Sequence, residues 1–384
     1  MKFLHLGDLH IGKILHGRSL IEDQAFMLKK VVEFIGDQNI ELVIIAGDLY
    51  DRLIPTVEAV ELLNDFLNLL INEKQVKVFI ISGNHDSVER LNFASSILKS
   101  SGLIIESVVN KKMSSYCLED QYGKIYFHLV PFFKPSKIRQ LFNDDSLKTY
   151  EDAFKCFMEY NQDQLSNDAR HVLVTHQFFV GFNQVVKSES ETILSVGGSE
   201  MISSKIVESF DYVALGHLHA PQSVGIPTIR YSGSLLKYSF DEAKQSKSFC
   251  VVEMCEKGVV KIDLKTIKPL RDVRVLEGCL EDLLKVENDF KTDYVALLLK
   301  DQTMIINAMD KVRLVYPNAL QITYEFYKDK IENQDSIDFI ENRNMSEEEL
   351  FIHFYHQVVG LELVDEKLEL FKTLIEDFRK GVKS

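Results

Sequence analysis

The chain has 384 residues, 46% hydrophobic and 27% charged, and a formal net charge of −14. That length supports two or three domains with a sizeable buried core, which excludes a small fold that depends on disulfide staples. No apolar run reaches the roughly 18 residues of a membrane helix. The acidic balance opposes sequence-independent nucleic-acid binding, which normally rests on a basic surface. Either the chain binds no nucleic acid alone, or local Lys and Arg, divalent cations and a basic partner supply the positive field.

From the N-terminus, Lys2–Leu6 reads as a short apolar strand. Asp8 falls where a signal peptide would carry its apolar core, so no such peptide is expected. The run Ser19-Leu20-Ile21-Glu22 has capping-box spacing and opens a helix with an apolar stripe at Leu20, Ile21, Leu28, Val31, Val32 and Ile35. Leu42–Ala46 is a buried strand. Thr56 caps a second helix carrying Val60, Leu63, Leu67, Leu70 and Ile71, and Val76–Ile81 is a third strand. This alternation predicts an α/β fold, a parallel or mixed sheet with helices on both faces. Val172–Thr175, Tyr212–Leu215 and Ile229–Ser232 read as later strands.

After about residue 266 the texture changes. Val273–Leu276, Tyr294–Leu299 and Leu320–Phe326 look like strands, with helices at Asp282–Glu287 and Met304–Val315. The spacing predicts a main domain over 1–266 and a small α+β accessory domain over 267–330. A polar linker follows at 331–345, then two C-terminal helices over 346–384. The first opens at a capping box, Ser346–Glu349, and the second shows Leu368, Phe371, Leu374, Ile375 and Phe378. Five scattered cysteines without a CxxC pair predict reduced, buried thiols in a cytosolic protein.

Five pieces carry ligand-type side chains directly after apolar runs: Asp8-Leu9-His10, Gly47-Asp48, Gly83-Asn84-His85-Asp86, His176, and Gly216-His217-Leu218-His219. Ligands at the carboxyl ends of successive strands meet at one sheet edge. Oxygen and imidazole without thiolate suit a pair of Mn²⁺, Mg²⁺ or Fe²⁺ ions better than structural zinc. A carboxylate can bridge two ions, and Asp48 is the natural candidate. Asp8 and His10, two apart, point the same way in extended chain and can serve one ion. His217 and His219 share that spacing and can be divided between the ions. Asn84 offers a neutral carbonyl oxygen, and His176 completes the second set. His85 follows a ligand directly and is expected to point elsewhere, where an imidazole can protonate a leaving group or stabilise developing charge. Asp86 either orients His85 or fixes the turn. His5 reads as a core or supporting residue, and the remaining histidines have no partner at ligand spacing.

In this order the motifs resemble the calcineurin-like metallophosphoesterase superfamily over residues 1 to about 240. Leu9–Lys13, Arg18–Phe26, Gly83–Ser87 and Tyr231–Phe240 resemble the SbcD family of bacterial DNA-repair nucleases, and that likeness extends over essentially the whole chain. The resemblance implies a β-sandwich flanked by helices, a capping domain that shapes DNA access, and a C-terminal helix pair. It implies that Asp8, His10, Asp48 and His219 hold one manganese, that Asp48, Asn84, His176 and His217 hold the other, and that His85 is the catalytic histidine. It implies a phosphodiesterase using activated water on double-stranded DNA ends and hairpins, in the cytoplasm at the nucleoid. Its implied partner is an SbcC-type coiled-coil ATPase docked on the C-terminal helices, in a heterotetramer built on a homodimer for which helix 57–71 is a candidate surface.

Two departures stand out. Asp51 occupies the position where archaeal relatives carry a second histidine, which leaves its role open. Leu53 replaces the final Gly of the phosphatase-type GDxxDRG run, and Asp86 stands where that branch has Glu. A free-standing small-molecule or protein phosphatase is the alternative enzyme, and a scaffold with a structural cluster is the alternative outside enzymes. The accessory domain and tethered helix pair argue against the first. The intact donor set argues against the second.

Overall fold

The computed structural model describes residues 1–181, 185–191, 200–285, 289–326, 351–352 and 365–381. The expected linker, the capping box at Ser346–Glu349 and nearly all of the first C-terminal helix lie outside them. The chain divides into two compact units. One comprises Met1–Val275, Asn288–Val295 and Tyr316–Leu320; the other comprises Leu276–Glu287, Ala296–Val315 and Gln321–Ser384.

The first unit contains two six-stranded mixed sheets. One runs Val260–Lys265, Phe249–Met254, Lys2–Leu6, Leu42–Ala46, Lys77–Ile81, Leu103–Glu106 in space; the other runs Gln222–Val224, Ile226–Tyr231, Tyr212–Leu215, Arg170–Thr175, Gly123–Val130, Ser114–Asp120. The central strands of each are parallel; antiparallel strands lie at one edge of the first sheet and at both edges of the second. The sheets pack on one another through Phe3, Ile44, Phe79, Phe127, Val172, Tyr212 and Val252.

This layering is the sandwich flanked by helices that the family resemblance implied, and it corrects the single sheet with helices on both faces read from the strand–helix alternation. Helices cover only the outer faces. Ile21–Gly36 and Val57–Asn68 bury their stripes against the first sheet, and Pro135–Phe142 and Tyr150–Tyr160 against the second. Buried strands apolar on both faces read alike whether a helix or a second sheet covers them, so the run of residues alone did not separate the two.

Two local expectations also shift. Ser19 does not cap the first helix. It is paired with Ile14 in a short hairpin, Leu20 takes the cap position, and Glu22 binds Arg271 instead of closing a box. In the second helix, Thr56 does cap, accepting from Ala59 N at 3.3 Å, but Val60 is 45% exposed beside Leu53, Ile54 and Val57. Of the five cysteines, Cys250 and Cys255 are buried, while Cys117 and Cys279 are exposed.

The strands Val273–Gly278, Tyr294–Leu299 and Ala319–Tyr324 form a three-stranded sheet in that order. Helices occur at Leu280–Lys285, starting two residues earlier than expected, and at Ala308–Arg313, shorter than expected, and the last helix spans Asp365–Gly381. Among the described residues no helix is long and apolar enough to cross a membrane.

Candidate metal centre

Five parallel strands, three from one sheet and two from the other, deliver the five ligand-bearing pieces to one place. The loops after Leu6, Ala46 and Ile81 bring Asp8, His10, Asp48 and Asn84; those after Thr175 and Leu215 bring His176, His217 and His219. Close approach of the loops demands glycine at two points. A Cβ on Gly83 would stand 2.1 Å from Asp48 Oδ1, and one on Gly216 would stand 1.9 Å from Ala46 O.

The donors form two groups sharing one oxygen. Asn84 Oδ1 lies 3.1 Å from both His176 Nε2 and His217 Nδ1, and His176 Nε2 lies 3.3 Å from Asp48 Oδ2. The same Asp48 Oδ2 lies 3.6 Å from His10 Nε2, which is 3.1 Å from His219 Nε2. Asp8 joins His10 and His219 in one triplet of possible ligands, and joins Asp48 and His176 in another. Neighbouring donors on an ion with bonds of about 2.1 Å stand about 3 Å apart, so these spacings fit a pair of small divalent cations. The site passes a second test of fit: Asp8 Oδ2 is buried without a hydrogen-bond partner among the described residues, and such an orphaned atom is costly unless an ion satisfies it.

Electrostatics agree. Burial pushes the Asp8 carboxyl well above its ordinary value, with Asp48 adding to the effect. Burial likewise lowers His10, and lowers His217 to about 3. Against the cost of burial, His176 holds Asp48 below the usual carboxylate range, and Asp48 raises His176 to about 9. A cation would oppose the first effect, favouring the Asp8 carboxylate.

His85 is set apart. Its backbone N donates to Asp48 Oδ1 at 2.8 Å and its ring Nδ1 meets Asp51 O at 3.0 Å. Asp51's carboxylate binds Lys13 Nζ at 2.9 Å. Asp86 receives backbone N–H groups from Gly83, Leu49 and Tyr50 at 2.9–3.2 Å, so its contacts are those of a turn clamp. Burial and the charge of Asp48 raise it to about 6. His5 is a buried core residue bonded to Tyr212 Oη and Leu215 O.

Sequence reading missed the supports. Gln24 donates to His10 O at 2.8 Å and accepts from Gly12 N at 2.9 Å. Tyr238 Oη donates to Leu9 O. Glu242, Ser190 and Lys247 surround His219. For Gln24 a signal existed: it lies four residues from both Leu20 and Leu28, on the stripe that packs inward.

A two-sheet sandwich with dinuclear oxygen–imidazole donors at its strand ends is the signature of a metallophosphoesterase. The family model described as calcineurin-like phosphoesterase matches residues 1–221. A second, described as type 5 capsule protein repressor C-terminal domain, matches residues 269–359. A curated relative, the SbcD component of the SbcCD nuclease of Staphylococcus saprophyticus, is 32% identical over 388 residues, covering 99% of this chain and 100% of that protein. A solved dimetal phosphatase from Danio rerio aligns with TM-score 0.41 and 11% identity, over 70% of this chain and 98% of that one. The chain belongs to the calcineurin-like phosphoesterases and, within them, to the SbcD nuclease family.

Proposed function

We propose that this protein is a divalent-metal-dependent nuclease that hydrolyses DNA phosphodiesters in partnership with an SbcC-type ATPase. The observation that carries the reading is the pair of donor groups meeting at Asp48 Oδ2, in a chain matched end to end by a nuclease component. Asp8, His10, Asp48 and His219 hold one ion; Asp48, Asn84, His176 and His217 hold the other, with Mn²⁺ the preferred metal and Mg²⁺ the alternative. Bound ions supply an activated water and neutralise charge on the phosphate oxygens.

The chain's own residues do the rest. With Nδ1–H donating to Asp51 O, His85 in its doubly protonated form presents Nε2–H as the group that hands a proton to the leaving oxygen, leaving the ring neutral. Asp86 holds the 47–50 and 83–86 loops together, and Asp51 sets both His85 and Lys13.

Residues 267–330 act as a capping domain that shapes DNA access, and the C-terminal helices dock on the coiled-coil base of the ATPase. That partner brings the positive field this acidic chain lacks. DNA ends and hairpins are the substrates, at the nucleoid. A homodimer forms through the exposed apolar run Leu53, Ile54, Val57 and Val60. The free-standing phosphatase reading loses support from a full-length nuclease relative.

The test uses purified chain with Mn²⁺ or Mg²⁺ on duplex DNA and on a small chromogenic phosphodiester, with and without the ATPase. Metal-dependent cleavage of the small diester, with ATP-stimulated duplex cleavage in the complex, is expected. Activity on phosphomonoesters alone would overturn the reading. Asp48→Asn should abolish cleavage and the paired binding of two ions; two tightly bound ions in that variant would remove the bridging role.

A further inference from the structure

We propose that Glu242, clamped by Lys247, is a positioning residue for His219. It fixes the imidazole in the tautomer whose Nε2 faces the metal centre, so that one of two ion positions depends on a side chain that touches no ion. The inference rests on the dinuclear reading above.

Glu242 is fully buried on the short turn Asp241–Lys244. Its Oε2 takes Lys247 Nζ at 2.6 Å and Tyr238 N at 3.2 Å. Its Oε1 takes Ser188 Oγ at 2.9 Å, Ser239 Oγ at 3.2 Å and Ser190 Oγ, and stands 3.1 Å from His219 Nδ1. Ser190 Oγ is itself 2.6 Å from that nitrogen. An imidazole nitrogen facing a carboxylate, with a hydroxyl already committed to the same carboxylate, is the protonated one. Nε2 is then left with its lone pair, 3.1 Å from His10 Nε2 and toward the shared donors.

The backbone of His219 is held by the same assembly. Its N donates to Glu191 Oε1 at 2.8 Å, and its O accepts from Lys247 Nζ at 2.9 Å. A buried ion pair gives little net stability over an apolar pair of similar volume, so gluing the 238–247 segment does not account for a charged pair here. Orienting a metal-ligating histidine does. His176, in the other donor group, has the Ala46 carbonyl behind its Nδ1 at 2.7 Å, with Asp8 Oδ1 farther off at 4.0 Å. The two ion positions therefore differ in what stands behind them.

Glu242→Gln alone leaves Lys247 buried without its counter-charge, so the paired variant Glu242→Gln/Lys247→Met is tested beside it. Titration calorimetry of the metal-free full-length protein with Mn²⁺ should show two sites in the wild type. In the paired variant, affinity should fall about 10–100-fold at one site and stay unchanged at the other. Glu242→Asp should restore part of the loss. In ¹⁵N-histidine-labelled metal-free wild type, His219, assigned by its absence in His219→Asn, should show protonated Nδ1. Unchanged affinity at both sites, an equal fall at both with a lowered thermal midpoint, or His219 protonated on Nε2 in the wild type would each overturn the proposal. The tautomer readout needs neither a variant of Glu242 nor bound metal, so it decides this inference even if the wild type fails to bind two ions.

Discussion

Individual residues at the centre sit in unusual backbone. Asp8, His10 and Asp48 have φ between 42° and 52°, and His217 has φ 111°. Left-handed conformations cost non-glycine residues of order 1 kcal/mol or more each, and here the cost falls on proposed ligands. His85 lies outside that strained set. His85→Gln should keep both ions yet lower turnover on DNA by roughly 10²-fold; loss of metal in that variant would mark His85 as a ligand. A second prediction concerns histidines far from the centre. His171 Nε2 donates to Ser166 O at 2.9 Å, its Nδ1 lies 2.9 Å from His128 Nε2, and His128 Nδ1 lies 2.7 Å from Ser115 Oγ, which donates to Gln164 Oε1 at 2.6 Å. Burial, with His171 alongside, lowers His128 from 6.5 to about 3. Below pH 6.5 the unfolded chain takes up a proton that the folded chain refuses, so stability falls as pH drops. The slope is up to about 1.4 kcal/mol per pH unit from this group, and above that pH the group contributes no dependence. Urea denaturation at stepped pH should show His128→Gln with a shallower slope than wild type; equal slopes would refute the argument. The proposed ligands were legible because Asn, His and Asp after buried strands have no packing use. Glu242 was not, since nothing in its sequence neighbourhood reveals a fold that returns it to His219.

At the level of elements, the strand-then-ligand habit was readable from apolar runs ending in polar clusters. The covering of those strands was not, because a buried strand does not announce whether a helix or a second sheet lies over it. Edge strands such as Ser114–Asp120, with alternating burial, and Val260–Lys265, largely exposed, carry weak apolar signals and were also missed. The turns make their own demand. Gly216→Ala would drive a methyl into Ala46 O and toward His176 Nδ1, 2.7 Å away. Overpacking of this kind costs about 1–3 kcal/mol or more. Denaturant midpoints should fall, and binding at the His176 and His217 position should weaken. A variant with wild-type midpoint and two ions would show that the loops can yield.

For the whole molecule, the net charge of −14 leaves the approach of DNA to be explained by something other than bulk attraction. The final helix offers a physical route. Leu370 and Leu374 are each 61% exposed on it, an apolar face suited to a groove on another protein. Deleting residues 340–384 should leave metal-dependent cleavage of a small diester unchanged and abolish ATP-stimulated duplex cleavage. Co-purification of the truncated chain with the ATPase would remove the docking role. A last consequence follows from the origin of the donors, Asp8, Asp48 and Asn84 from one sheet and His176 and His217 from the other. Divalent ions held as proposed would cross-link the two halves of the sandwich, like a pin through facing plates, and resistance to shear between the plates would become a function of free cation. Chelation should lower the melting temperature, and added Mn²⁺ should raise it logarithmically with concentration. The supply of divalent cation would then set how long the protein holds its fold as well as how fast it cuts.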